Sequence, residues 1–352
     1  MDLRHLRNML AVMDEGSLGK AAERLNISQP ALTKSIQRLE EQLGVKLFER
    51  KSRGMEATSY AESLRAYAQS ACVGMTEAVK QITALRNGTE GVLTVAGPPL
   101  IASEFLPEVL VRLASERPNL QIRIVSQNQE LFTSLLDGQF NLVVAMLYNE
   151  MPKHGLTKRW LFDDRLVLVM RPDHPAARLE KVQPQDLLGY KWAIAESATW
   201  HRRRLELYFE QAGLGMPRAS IESREPTILK SIIMQSDHIG VLAKLGVEKE
   251  VARGLLAAVE IDSPFMMRPI GIVQRANESA SPAISAMIRL IEDICRERGY
   301  TASKQPIQPG ATKSGQPKVS LEKAILVKSG ATGPTAVPTP LGKLATIKKG
   351  AR

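Results

Sequence analysis

The 352-residue sequence predicts a multidomain protein in which an all-α amino-terminal part and one long helix precede an α/β part. Apolar residues recur at helical spacing as far as about residue 86, and short apolar strands then alternate with helices up to residue 300. Pro, Gly, Thr, Ala and Lys dominate the remainder. We therefore expect four segments: 1–58, 59–88, 89–300 and a disordered basic tail at 301–352.

The amino-terminal part contains two short amphipathic helices joined by a tight turn, within residues 17–53. Ser17 and Ser28 are placed to cap the two helices. Pro30 is tolerated in the first turn of the second helix, because amides there have no helical partner. The apolar face of that helix is expected to pack inward through Leu32, Ile36, Leu39 and Leu43.

The opposite side of the second helix carries amide, hydroxyl and ammonium groups, which suit base edges and phosphates. The candidate DNA-contacting residues on this helix are Ser28, Gln29, Pro30, Thr33, Lys34 and Gln37. A basic hairpin or wing follows, and its candidates for gripping the backbone are Arg50, Lys51 and Arg53. Glu40 and Glu41 would be repelled by phosphate, so only the first two turns are expected to enter the groove. A solvated helical hairpin is the alternative, and for a bare pair of helices it is the commoner case.

The whole amino-terminal stretch resembles the LysR-type transcriptional regulators at fixed spacing. The matching residues are Leu6, Ala11, Val12, Gly16, Ser17, Ala21, Ala22, Leu25, Ser28, Gln29, Pro30, Ala31, Leu32, Ile36, Leu39, Glu40, Leu43, Gly44, Leu47, Phe48 and Arg50. The resemblance implies an N-terminal winged helix-turn-helix that reads a palindromic operator in double-stranded DNA. It also implies a sequence-specific regulator that responds to a small-molecule effector, and we expect an activator.

A long helix is predicted from about residue 59 to 86 and ends at Asn87 and Gly88. Its apolar residues alternate by four and three: Leu64, Ala68, Ala71, Met75, Ala78, Ile82 and Leu85. Such a seam predicts pairing between two subunits, and packing against its own domain is the alternative. In the family this linker helix is the dimer element, so the resemblance implies a homodimer, and a homotetramer that contacts two operator sites.

The α/β part resembles the effector-binding domain of the same family, whose fold is similar to that of type II periplasmic solute-binding proteins. The matching features are Leu106, Pro107, Pro118, Leu135, Leu136, Asp137, Gly138, Leu142, His174, Pro175, Phe209, Gly213 and Pro217. The resemblance implies two subdomains, about 91–160 with 268–300 and 161–267. Between them lies a cleft for a small molecule, often a carboxylate or aromatic acid.

Candidate effector contacts lie where strands end and helices begin. They are Pro98, Pro99, Ser126, Gln127, Asn128, Ser197, Thr199 and His201, with Met146 and Phe265 as apolar walls. Pro98 and Pro99 stand where relatives present hydroxyls and amides, which argues against the usual carboxylate anchor there. For each candidate, an ordinary loop residue is the alternative. The basic run at 200–204 is interpreted as an exposed helix start, with an anion site as the alternative.

The net charge of +10 is weak evidence for DNA binding because of where it lies. Eight Lys and one Arg against Glu322 give residues 301–352 a net charge of +8, which leaves +2 for residues 1–300. The tail either attracts DNA without sequence preference or is merely solvated. Two cysteines, the lack of an apolar signal segment and the lack of a long apolar run predict a cytoplasmic protein without membrane contact.

The sequence offers no support for catalysis. Its five histidines lack metal-ligand spacing, and it contains no nucleophile elbow, phosphate loop or dinucleotide fingerprint. We therefore expect neither an enzyme nor a cofactor. As a regulator, the protein has RNA polymerase as a further candidate partner. The rival from another class is a cytoplasmic small-molecule-binding or sequestering protein whose amino-terminal helices serve only oligomerisation.

Overall fold

The computed structural model describes residues 2–52, 54–86, 89–147, 155–179, 181–197, 199–276 and 281–300. The predictions for Arg53, for the helix end at Asn87 and Gly88, and for the tail lie outside these residues. Within the described ranges, no helix combines the length and the apolar character that crossing a membrane requires.

Three helices and a hairpin form the amino-terminal module. They are α1 (Leu3–Glu15), α2 (Leu18–Arg24), α3 (Gln29–Leu43), β1 (Phe48–Lys51) and β2 (Gly54–Ala57). The strands pair antiparallel. One core joins the three helices and β1 through the buried residues Leu6, Met9, Val12, Ala21, Ala22, Leu32, Ile36, Leu39, Leu47 and Phe48, and β2 packs against it through the partly buried Met55 and Ala57.

The caps of α2 and α3 differ from each other. Ser28 Oγ accepts a hydrogen bond from the amide of Ala31 at 3.4 Å, as predicted. Ser17 occupies the N-cap position of α2, but its side chain makes no capping hydrogen bond. The prediction that Leu43 is buried is wrong, since 40% of its surface is exposed. Leu43 is the last helical residue, and the chain leaves the helix through Gly44 at a φ of 69°.

The long helix α4 (Ser59–Arg86) divides into two halves with different surroundings. In the first half, Ala61 and Ala68 are fully buried, and Leu64 packs against the core of the amino-terminal module. In the second half, Met75 and Ile82 remain 53% and 65% exposed. The start of the predicted seam therefore packs within its own chain, which was the alternative interpretation, and its continuation stays on the surface.

Strands and helices alternate through the rest of the described chain. The strands are β3 (Val92–Gly97), β4 (Gln121–Ser126), β5 (Leu142–Met146), β6 (Leu156–Met170), β7 (Lys191–Ala195), β8 (Ala219–Ser223), β9 (His238–Ala243), β10 (Ala257–Glu260) and β11 (Met267–Arg275). The α-helices are α5 (Leu106–Glu116), α6 (Leu131–Leu136), α7 (Trp200–Gln211), α8 (Pro226–Met234), α9 (Glu248–Ala252) and α10 (Pro282–Glu297). A π-helical turn (Ile101–Phe105) precedes α5, and 3₁₀ turns occupy Pro175–Arg178, Pro184–Leu187, Lys244–Gly246 and Pro264–Met266.

The strand order β4-β3-β5-β11-β6-β9-β7-β8, with β10 beside β6, confirms the predicted α/β class. β3 runs parallel to β4 and β5, and β7 runs parallel to β8 and β9. The antiparallel pair β6 and β11 joins the two groups. β6 pairs with β11 through residues 156–165 and with β9 through residues 166–169, so one strand serves both groups.

Each group of strands has its own core. The first contains Phe105, Leu142, Phe162, Ile272 and Ile291, and the second contains Leu166, Trp192, Phe209, Ile239 and Met266. β6 and β11 pass from one core to the other side by side. This arrangement creates two subdomains joined by two neighbouring strands, with strand carboxyl ends of both subdomains near the junction.

Candidate DNA-binding surface and ligand cleft

The outer side of α3 brings the predicted contact residues together. Gln29, Pro30, Lys34 and Gln37 are exposed, as is the cap residue Ser28. Thr33 is half-buried, and its hydroxyl donates to the carbonyl of Gln29 at 2.9 Å. The first two turns of α3 therefore present amides and an ammonium outward while Leu32 and Ile36 anchor the inner side.

The sequence reasoning did not select Arg38, which is also exposed on α3. It follows Lys34 by four residues, so the two cations are neighbours on the helix surface. The i, i+4 spacing was the signal that could have identified it.

Glu40 has a role that the sequence did not reveal. Its side chain is only 8% exposed, and Oε1 accepts from the amides of Leu47 and Phe48 at 2.9 and 3.4 Å. Its Oε2 binds Lys46 Nζ at 2.7 Å, a contact that raises the pKa of Lys46. A carboxylate that accepts backbone amides makes strong, charge-assisted hydrogen bonds. Glu40 therefore fixes the start of the wing relative to α3.

The two described wing cations differ. Lys51 Nζ lies 2.8 Å from Glu49, and this pair raises the pKa of Lys51 and lowers the pKa of Glu49. Arg50 is exposed, and no ion pair of Arg50 occurs within the described residues. Arg50 is therefore the better placed of the two to bind phosphate.

Gly54 lets the wing approach the end of α1. The amide of Met55 donates to the carbonyl of Gly16 at 2.8 Å, and a Cβ at position 54 would lie 2.4 Å from that oxygen. The φ of Gly54 is +133°, which side-chain-bearing residues rarely adopt. The wing is thus held at its first residues by Glu40 and next to its turn by Gly16.

In the first subdomain, five candidate effector residues lie at one edge of the sheet. Gly97 and Ser126 are register partners at the ends of β3 and β4, so the segments that follow both strands emerge together. They carry Pro98, Pro99, Gln127 and Asn128. The Gln127 side-chain amide donates to the carbonyl of Gln129 at 2.9 Å, and the Pro98 carbonyl accepts from Ala102. Met146 is buried in the first core, at the end of β5.

In the second subdomain, the start of α7 gathers three more candidates. Thr199 Oγ1 accepts from the amide of Arg202 at 3.2 Å and donates to the carbonyl of Glu196, so it caps the helix. Ser197 is exposed. Burial, assisted by the charge of Arg268, lowers the pKa of His201 to about 3, so this imidazole is neutral. Phe265 lies in a 3₁₀ turn that packs against α7.

Two large apolar residues, which the sequence reasoning did not select, connect the subdomains. Leu100 follows β3, Trp200 opens α7, and each packs against both cores. Gly246 makes room for Leu100, because a Cβ at position 246 would lie 2.8 Å from Leu100 Cδ1. These contacts join residues about a hundred positions apart, so no local pattern identifies them.

The basic run at the start of α7 contains arginines in two situations. Arg202 and Arg203 bind the carboxylates of Glu206, Glu222 and Glu210. The Arg204 guanidinium lies 4.7 Å from the centroid of the Trp200 ring, and burial lowers its pKa. No carboxylate partner of Arg204 occurs in the part of the chain that the structure describes. The basic run therefore begins α7 with two arginines in ion pairs and a third, half-buried arginine that lies against the ring of Trp200.

A buried ion pair holds the two crossing strands together. Asp164 on β6 and Arg268 on β11 are register partners, and Oδ2 lies 2.7 Å from Nη1. Asp164 Oδ1 also accepts from the amides of Arg165 and Leu245 at 2.9 and 3.2 Å. Burial raises the pKa of Asp164, although the charge of Arg268 opposes that shift. The pair lies where the strands pass between the cores.

A helix-turn-helix with a wing, followed by a two-subdomain ligand-binding fold, defines a ligand-responsive transcriptional regulator. Residues 3–62 match the model of the bacterial regulatory helix-turn-helix proteins of the lysR family, and residues 86–296 match that of the LysR substrate binding domain. The chain belongs to the LysR family. These matches confirm the predicted family, fold class and general function. The relatives in this family are transcriptional regulators rather than enzymes.

This chain is similar to known regulators and to a solved structure over most of its length. The regulator GbpR of Azospirillum brasilense is 27% identical over 314 residues, which cover 89% of this chain and 92% of GbpR. The SDS degradation transcriptional activation protein of a Pseudomonas strain is 29% identical over 297 residues, covering 83% of this chain and 96% of that protein. Full-length BenM shares the fold with a TM-score of 0.51 at 24% identity, covering 87% of this chain and all of BenM.

Proposed function

We propose that the outer side of α3 reads operator DNA in the major groove while the wing binds the backbone. The base-reading residues are Gln29, Thr33 and Gln37, and Ser28, Pro30, Lys34, Arg50, Lys51 and Arg53 position the module. The observation that carries this proposal is the two-sided exposure of α3, with polar groups outside and Leu32 and Ile36 inside. In this proposal residues 1–58 bind DNA, 59–88 link, and 89–300 bind the effector.

A binding titration against operator fragments selected from genomic DNA, with random DNA beside it, tests this proposal. Replacing Gln29 by Ala should cost about 1–3 kcal/mol on the operator and little on random DNA, because an amide reads a base edge. Gln42→Ala is the matched control, since Gln42 is exposed at the far end of the same helix. Equal losses on both DNAs would contradict base reading, and no operator preference in the unchanged protein would favour the sequestering protein.

We further propose that the cleft binds a small carboxylate, with an aromatic acid as the leading class. The subdomain edges supply Pro98, Pro99, Ser126, Gln127 and Asn128 from one side and Ser197, Thr199 and His201 from the other, with Met146 and Phe265 as walls. The half-buried guanidinium of Arg204 on Trp200 supports an anion with an apolar body. Because Leu100 and Trp200 pack against both cores, the ligand must displace or reorganise their contacts.

A panel of aromatic and aliphatic carboxylates, each beside its uncharged amide, tests the ligand class by thermal stabilisation. A carboxylate at 100 times its dissociation constant should stabilise the protein by about 2.7 kcal/mol. Arg204→Met should reduce this gain, whereas Arg203→Met should not, since Arg203 is exposed and bound to Glu210. Amides as effective as the acids would contradict an anion site.

The second half of α4 supports a homodimer, which we propose assembles further into a homotetramer. Met75, Val79 and Ile82 expose contiguous apolar surface at helical spacing. Ile82→Asp should shift the protein toward monomer in sedimentation velocity, whereas Lys80→Asp on the charged side should not.

The relative named for transcriptional activation supports the proposal that this protein is an activator. As an activator, the protein would act in the cytoplasm, with RNA polymerase as a further partner.

A further inference from the structure

The linker helix α4 contacts the effector domain of its own chain at the turn after α6. Gly138 lies so close to Val73 that a Cβ at position 138 would lie 2.7 Å from Val73 Cγ1. Beside it, the side-chain amide of Gln69 donates to Asp137 Oδ1 at 3.4 Å. Asn141, at the start of β5, donates to Glu77 at 3.5 Å. These contacts join α4 to residues 137–141, which we call the linker contact.

The same turn is held from inside the effector domain. Arg275 ends β11, is buried, and donates through Nη1 to the carbonyls of Leu135 and Phe140 at 2.7 and 2.6 Å. β11 is one of the two strands that cross between the subdomains. A movement of one subdomain against the other therefore reaches the linker contact through a strand end and two short hydrogen bonds.

On its other side, α4 continues the connection to the DNA-binding module. Arg65, one turn before Gln69, lies 2.8 Å from Asp14 at the end of α1, and Arg24 of α2 lies 3.3 Å from the same carboxylate. Ala68 is buried in the core that contains α3. Burial and the nearby charge of Asp14 raise the pKa of Asp137, which places both carboxylates in one charge cluster.

We propose that the linker contact is a latch through which the effector domain sets the position of the DNA-binding module in its own chain. Arg275 is its positioning residue: it holds the 137–138 turn against α4 when β11 is in place. Subdomain movement shifts the turn, and α4 moves with it because Val73 has no room to slide past Gly138. A chain of contacts demonstrates coupling only when a change at one end is felt at the other. Coupling is therefore measured by comparing each single substitution with the double substitution.

Hydrogen exchange on the full chain, without DNA or effector, tests the latch. Gly138→Ala should speed exchange at residues 69–77 by about tenfold, since the new methyl group collides with Val73. Gly213→Ala is the matched control, because Gly213 has a similar φ of +71° and nothing within 4 Å. In a Val73→Ala background, where the collision is relieved, Gly138→Ala should behave like the control. Equal effects of the two glycine changes would overturn the latch.

The coupling itself is tested by disturbing the cleft. Leu100→Ala loosens the contact between subdomains and should change exchange at residues 69–77, although Leu100 packs in the subdomain cores and not on α4. The same substitution in the Gly138→Ala background should change nothing there. Arg275→Met should raise exchange at residues 69–77 while β6 stays protected. A response to Leu100→Ala that persists in the Gly138→Ala background, or loss of β6 protection in Arg275→Met, would overturn the proposed route.

Discussion

The outer side of α3 and the proposed cleft of the effector domain both carry polar side chains, but they hold them in different states. On α3, Gln29, Lys34 and Gln37 are exposed on a helix whose other side is anchored in a core. Among the candidate effector contacts, Thr199 and Gln127 already bond to neighbouring backbone atoms, and Leu100 and Trp200 pack against the cores of both subdomains. Under the proposed function, the surface of α3 is ready to bind DNA, whereas the proposed cleft must rearrange to admit a ligand.

This difference extends to the forces that hold each region together. The amino-terminal module depends on apolar packing of short helices, with charged groups mainly at its surface and Glu40 as a buried exception. The effector domain places a buried ion pair, Asp164 with Arg268, between its subdomains. Ion pairs in a protein interior are costly to break from one side, because the remaining charge stays buried without its partner.

The largest expected effect tests this contrast directly. Asp164→Asn should destabilise the effector domain by about 3–5 kcal/mol, because Arg268 keeps its charge in a buried site. Urea unfolding followed by tryptophan fluorescence measures it, since all three tryptophans, Trp160, Trp192 and Trp200, belong to this domain. Glu260→Gln, which removes exposed ion pairs with Lys244 and Arg165, should cost less than about 1 kcal/mol. Similar losses in both variants would remove the distinction.

A second prediction concerns packing in α3. Leu39→Ala should destabilise the amino-terminal module by about 2–5 kcal/mol, because Leu39 is fully buried. Leu43→Ala in the same helix should have an effect within about 0.5 kcal/mol, since Leu43 is 40% exposed. Hydrogen exchange resolved by residue separates this module from the effector domain. Comparable costs at both positions would mean that Leu43 is packed after all.

The smallest effect, counted per pH unit, is a pH dependence from His201. The pKa of His201 is lowered from 6.5 to about 3, so between these values the unfolded chain takes up a proton that the folded chain refuses. Acidification from pH 6.5 toward 3 therefore destabilises the effector domain, by at most about 1.4 kcal/mol per pH unit. His201→Gln should weaken this dependence in unfolding experiments across the pH range. An unchanged dependence would show that His201 titrates normally.

The sequence predicted α3 well because a helical period places residues on faces without further information. It erred at Leu43, since periodicity does not show where a core ends. The seam of α4 is a sharper case: one periodic pattern covers Ala68, which packs within the chain, and Ile82, which is exposed. Periodicity identifies an apolar side but not the partner that covers it.

The cleft was less accessible to sequence reasoning for a related reason. Parallel strands predict which loops share an edge, and Ser126 and Pro98 do lie together. Leu100, Trp200 and the Asp164–Arg268 pair acquire their roles only through contacts across about a hundred residues. Their residue types carry no signal at short range. The α/β order was therefore predictable, whereas the closure of the cleft was not.

Helix α4 contacts both the amino-terminal module and the effector domain, which limits where two regulators can be joined in a chimera. Ala68 belongs to the core of the amino-terminal module, and Gln69 and Val73 touch the effector domain within the next turn and a half. A junction placed at the nominal start of the helix would give foreign partners to Ala61 and Ala68. One placed at its end would separate Val73 from Gly138. Exchange of modules between such proteins thus requires a junction inside the helix, with the residues of both neighbours transplanted in overlapping sets.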